Sequence, residues 1–138
     1  MVGKGYVVVS GPPASGKSTL APVLAECLQL PLLAKDTIKD ALMRLLPAPD
    51  VEASRQLGRA AVAVMLAVAA DSPVGAVLES NFFRSKALPQ LAALPGPVVE
   101  VFCRCDRDVA GARFAARTGT RSGGHFDRDR SPQELWND

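Results

Sequence analysis

The stretch Gly11-Pro12-Pro13-Ala14-Ser15-Gly16-Lys17-Ser18 constrains this chain more than any other. It fits G-x-x-x-x-G-K-[ST], the spacing of a glycine loop that cradles phosphates in backbone N–H groups. At ordinary glycine frequency, such a pattern arises by chance in a chain this short well under about one time in a hundred. Its flanks are also the right ones. Tyr6-Val7-Val8-Val9 upstream is a β-branched and aromatic run, fit for a strand buried on both faces. Leu20, Val23, Leu24, Cys27 and Leu28 downstream recur at helical spacing. A strand that turns through glycines into a helix aims several N–H groups, and the positive helix end, at one point.

Lys17 is placed to put a point charge on the β- and γ-phosphates of a bound nucleotide, and the Ser18 hydroxyl to ligate Mg²⁺. The rest of the chain fits a single domain. Its 138 residues can bury a real core, and 48% hydrophobic with 22% charged residues is a globular balance. The net charge of +2 is too weak to argue for nucleic acid. Cysteines 27, 103 and 105, without a signal peptide, point to a reducing cytoplasm. Cys103 and Cys105 with His125 lack the paired spacing and fourth ligand of a zinc site. The apolar run from Ala60 to Ala70 is about half a membrane span, so it reads as a buried helix.

Strands and helices alternate along the chain. Gln29-Leu30-Pro31 leads into a short strand at Leu32-Leu33-Ala34, and Thr37 with Asp40 suggests a capping box opening a helix to Leu46. Pro22 predicts a slight kink in the first helix. Asp50 can cap a long helix to about Ala70, with Val51, Leu57, Ala61, Met65 and Val68 near its buried stripe. A third strand spans Val74 to Leu78, a short helix Ser85 to Leu94, and a fourth strand Pro97 to Cys103. Such alternation predicts an α/β fold, a doubly wound parallel sheet with helices on both faces. Ser131-Pro132-Gln133-Glu134 then opens a helix that has only one turn of chain left. The expectation is that a fifth strand and final helix are missing.

Ligands of doubly wound sheets sit beyond the carboxyl ends of the strands. Asp36 follows the second strand and Glu79 ends the third, so both should face the loop. Phosphoryl transfer to an alcohol asks for one carboxylate to accept the hydroxyl proton and another to anchor or orient the Mg²⁺ shell. The plainer readings are a helix-start residue for Asp36 and a solvated strand-end acid for Glu79. Asn81, Phe82 and Phe83 could line an acceptor pocket or pack in the core. Arg113 and Arg117 share a helical face and suit the charge spread over a γ-phosphate, with Arg121 a third candidate toward the nucleotide. The alternative is a self-paired surface with Asp106 and Asp108.

Together, Ser10 to Thr19, Lys35-Asp36-Thr37, Val77 to Asn81 and the Arg-rich segment with Gly124-His125-Phe126 resemble the small P-loop kinases. That branch holds chloramphenicol phosphotransferase, gluconate kinase, zeta-toxin-like kinases and polynucleotide 5′-kinase, among AAA-domain ATP-binding proteins. The resemblance implies a P-loop NTPase sheet of order 2-3-1-4 and ATP with Mg²⁺ as cofactors. It also implies phosphate binding by Gly11 to Thr19, including Pro12, Pro13, Ala14, Ser15 and Gly16. Asp36 matches the aspartate that activates an acceptor hydroxyl, and Glu79 stands at the Walker B position. Arg113 and Arg117 match arginines of a lid over about residues 106–130. The implied activity is transfer of the ATP γ-phosphate to a hydroxyl of a small molecule, by a cytoplasmic monomer or homodimer. A nucleic-acid 5′ end as acceptor, or a non-catalytic ATP-binding switch, is the alternative.

Overall fold

The computed structural model describes residues 3–12, 15–81 and 84–103. In chain order these form β1 (Gly5–Ser10), α1 (Lys17–Leu28), β2 (Leu32–Ala34), α2 (Lys35–Met43), α3 (Val51–Asp71), β3 (Gly75–Glu79), α4 (Arg84–Ala92) and β4 (Val98–Phe102). All pairings are parallel, in the order β2-β3-β1-β4. This is the order expected for a P-loop NTPase. The predicted arginine lid and Ser131 helix start lie outside the described residues.

Side chains alternate across the sheet, so β1 feeds two cores. Tyr6 and Val8 face one way and join Ala76 and Leu78 of β3 under Met65 and Ala69 of α3. Val9 faces the other way and joins Val77 under Ala21 and Ala25 of α1. Two side chains, one in β1 and one just ahead of it, also tie down the C-terminal end of α3. Lys4, just before the strand, donates to the Ala70 carbonyl at 2.6 Å, and the Tyr6 hydroxyl to that of Ala69 at 3.2 Å.

The helices depart from their apolar periodicity in an instructive way. Lys17, Ala21 and Ala25 form the buried stripe of α1, while Val23, Cys27 and Leu28 are exposed. Turning Lys17 inward toward the loop fixes the helix phase, and positions i+4 and i+8 follow it. Small alanines there let the helix sit close on the sheet. Likewise the stripe of α3 is Ser54, Leu57, Gly58, Ala61, Met65 and Ala69. Val64 and Val68 are exposed, so the Ala60–Ala70 run is amphipathic and not wholly buried. Among the described residues no helix is long and apolar enough to cross a membrane.

Helix starts follow two rules. Asp50 caps α3, its carboxylate accepting from the Ala53 N–H at 2.8 Å. Asp50→Ala is expected to cost about 1 kcal/mol, lowering the thermal midpoint by about 4 °C; an unchanged melt would show that the cap contributes nothing. By contrast, α2 starts directly off β2 at Lys35, and its N-cap, Ala34, offers no side-chain bond. The Thr37–Asp40 capping box is therefore not used, and α2 stops at Met43, short of Leu46. Asp36 in the first turn complements the helix dipole instead.

Candidate active site

Sheet register assembles the site. Ala34 of β2, Glu79 of β3 and Val9 of β1 stand side by side in one row across three strands. Two residues past that row, Gly11 opens the glycine loop and Asp36 enters the first turn of α2. At the usual strand spacing the outer members of the row are about 10 Å apart, a span suited to a phosphate chain and an adjoining acceptor. Backbone bonds extend the edge on both sides: Ser80 N–H donates to Val9 O at 3.1 Å, and Cys103 N–H to Ser10 O at 2.8 Å.

The loop is tight at its start. Gly11 has φ 143°, and a Cβ on it would stand 2.6 Å from the Cys103 carbonyl oxygen and 2.8 Å from Ser15 Oγ. Only a residue without a side chain lets β1 turn against the end of β4 there. Gly16 closes the loop in the left-handed region at φ 99°, as the N-cap of α1, with no side-chain cap bond. The Thr19 and Leu20 N–H groups turn back to the Gly16 carbonyl at 3.2 and 3.0 Å, so the amides ahead of them at the start of α1 have no helical acceptor. Lys17 is buried and folds back, its ammonium donating to the Pro12 carbonyl at 2.8 Å. Ser15 Oγ is buried and has no hydrogen-bond partner among the described residues. A buried hydroxyl left in this way needs an explanation, and an anion held in the loop supplies one. Ser18 and Thr19 are exposed in the first turn of α1.

These features fit ATP with Mg²⁺ on the donor chemistry alone: backbone N–H groups, an ammonium and hydroxyls surround the place of a phosphate chain. Lys17 and the amides of Ser15 to Thr19 would hold the phosphates, and Ser18 with Glu79 the cation. No cluster of three or more His, Cys, Asp or Glu residues forms a ready metal cage among the described residues.

Asp36 is half-exposed, with Oδ1 3.9 Å from Lys35 Nζ. Glu79 lies at the end of β3, partly buried, and Asn81 follows it. Of the other candidate site residues, Pro13, Ala14, Phe82, Phe83, Arg113, Arg117 and Arg121 lie outside the described residues. One neighbour was not legible as such in the sequence. Cys103 sits where the fields of Lys17 and Glu79 both reach it. Burial pushes its thiol up, Lys17 opposes that, and Glu79 adds to it. A raised thiol holds less thiolate, so at about pH 8 Cys103 should alkylate more slowly than the exposed Cys27. Peptide mapping after brief iodoacetamide treatment reads this; faster labelling at Cys103 would contradict the assigned environment.

A protein-family model described as "AAA domain" matches residues 7–137. Among solved structures, a suspected kinase from Chloroflexus aurantiacus J-10-fl is 32% identical at a TM-score of 0.81, covering 88% of this chain and 71% of that one. A gluconokinase from Sinorhizobium meliloti 1021 is 21% identical at a TM-score of 0.59, covering 100% of this chain and 78% of that one. A shikimate kinase from Acinetobacter baumannii, solved with shikimate, is 16% identical at a TM-score of 0.61, with 99% and 82% covered. The last two likenesses bear on the fold alone. A search of curated proteins finds no match. With a family model running over nearly all of its length, the chain belongs to the AAA domain family, and its fold is that of the small-molecule P-loop kinases.

Proposed function

We propose that this chain is an ATP-dependent phosphotransferase that moves the γ-phosphoryl group to a hydroxyl of a small molecule, with Mg²⁺. The observation that carries the reading is the shared row of Ala34, Glu79 and Val9, from whose one edge the glycine loop and Asp36 both emerge, two strands apart with Glu79 between them. Bound nucleotide with its cation supplies the phosphoryl group and neutralises charge on the β- and γ-oxygens. Everything else falls to the chain. Lys17 and the loop amides orient the phosphates, and Ser18 and Glu79 fix the cation side. Asp36 accepts the proton of the attacking hydroxyl as that oxygen forms its new bond to the γ-phosphorus, while the bond from that phosphorus to the bridging oxygen breaks and ADP leaves. Arg113, Arg117 and Arg121 complete the reading as a lid over about residues 106–130 that steadies the γ-phosphoryl charge and excludes water.

The test is release of ADP from Mg-ATP across a panel of small hydroxyl compounds. Acceptor-stimulated release, with the phosphate recovered as an ester, supports the reading. Saturable ATP binding with no stimulated turnover by any hydroxyl compound would favour a non-catalytic module.

A further inference from the structure

Every residue of α3 from Ala60 to Ala70 is apolar. A helical run with no polar face is ordinarily covered on all sides. Here the core takes only one side, that of Ala61, Met65 and Ala69. The other side meets water: Ala60, Ala63 and Ala67 are exposed, and Val64 and Val68 are 44% and 48% exposed. These positions recur at spacings of three and four, so they form one continuous stripe along the helix. Its two ends carry opposite charges. Arg59 borders it on the N-terminal side, 3.1 Å from Glu52 of its own helix, and the exposed Asp71 closes it on the other. A membrane surface asks for basic residues and bulky apolar groups. Alanine and valine instead suit the close approach of another helix.

We propose that this stripe is the interface of a homodimer, in which α3 of one copy packs antiparallel on α3 of the other. The exposed positions read the same in both directions. About a two-fold axis between residues 65 and 66, Ala63 meets Val68 of the other copy and Val64 meets Ala67. The same axis brings each Arg59 beside the other copy's Asp71, so the end charges match as well. Two-fold symmetry requires a surface to be its own complement, and the stripe satisfies that in shape and in charge. A crossing of about three turns buries less than the roughly 800 Å² per partner of a standard interface, so the dimer comes apart on dilution. The interface goes beyond the phosphotransferase reading and does not depend on it.

The experiment is sedimentation velocity of the full chain from about 5 to 500 µM, a range that spans weak dimers. A rise from monomer to dimer mass is expected. Ala67→Arg sets like charges against each other across the axis and should weaken association about hundredfold or more. Val64→Lys should do the same, and thermal melts check that both variants, changed at exposed positions, still fold. Asp71→Arg should weaken association severalfold. Adding Arg59→Glu to that variant should restore it, because the end charges are then exchanged and not lost. Val23→Arg on α1 and Leu88→Arg on α4, both at exposed positions outside the stripe, should leave association unchanged. A monomer at every concentration would overturn the proposal, whether the stripe is left to water or covered by another part of the same chain. So would a dimer indifferent to Ala67→Arg and Val64→Lys, a dimer broken by Val23→Arg or Leu88→Arg, or a charge exchange that fails to restore association.

Discussion

Replacing Asp36 by Asn is expected to lower acceptor-dependent ADP release by about 10²–10⁴-fold, the usual worth of a positioned general base. Nucleotide affinity should stay within about twofold, since Asp36 stands two strands away from the loop along the sheet edge. An amide keeps the size of the carboxylate but cannot take the hydroxyl proton. The structural cost is small. The loose contact with Lys35 at 3.9 Å and the first-turn position on α2 together contribute under about 1 kcal/mol for a half-exposed group. Loss of turnover with an unchanged melt and unchanged nucleotide binding therefore isolates the chemical role. Full turnover in the variant would leave Asp36 as a helix-start residue and nothing more.

Lys17→Met should fail at an earlier step. The methionine fills the buried stem but brings no charge to the phosphates, and it removes the bond to the Pro12 carbonyl. A hydrogen bond to a charged group is worth about 1.5–3 kcal/mol, so nucleotide affinity should fall about 10–100-fold. Turnover should fall further, because charge on the transferred group grows in the transition state. Calorimetric titration with Mg-AMP-PNP reads the first effect, and ADP release the second. The pair of variants separates binding from chemistry: Asp36→Asn binds and does not transfer, whereas Lys17→Met binds poorly. Equal nucleotide affinity in Lys17→Met and the parent chain would remove Lys17 from the phosphate site.

The loop and the placement of Asp36 and Glu79 at strand ends were legible because each is encoded locally, whereas the strand order came from the resemblance to the small P-loop kinases. Glycines at fixed spacing demand a turn, β-branched runs demand strands, and parallel crossovers leave few topologies. Asp50 was legible for the same reason, since a cap acts on N–H groups within three residues of itself. What escaped the sequence depends on partners far along the chain. Val23 and Leu28 look as apolar as Leu20 and Leu24, yet the phase of α1 is set by Lys17 turning into the loop. Val68 fits the helical period of α3, but the sheet takes Met65 and Ala69 instead. The Thr37–Asp40 pair has the spacing of a cap; α2 had already begun at Lys35, carried straight from the end of β2. The meeting of Lys39 with Ser54, and of Cys103 with the loop, joins residues of different elements that no periodicity links.

The account depends on the main-chain amides after Gly11 closing around a phosphate chain. An ¹⁵N–¹H correlation spectrum of the chain titrated with Mg-AMP-PNP tests this most directly. Saturable shifts at the amides of Ser15 to Thr19, weakened in Lys17→Met, are the predicted result. A spectrum in which those amides stay fixed while the nucleotide is present in excess would contradict it.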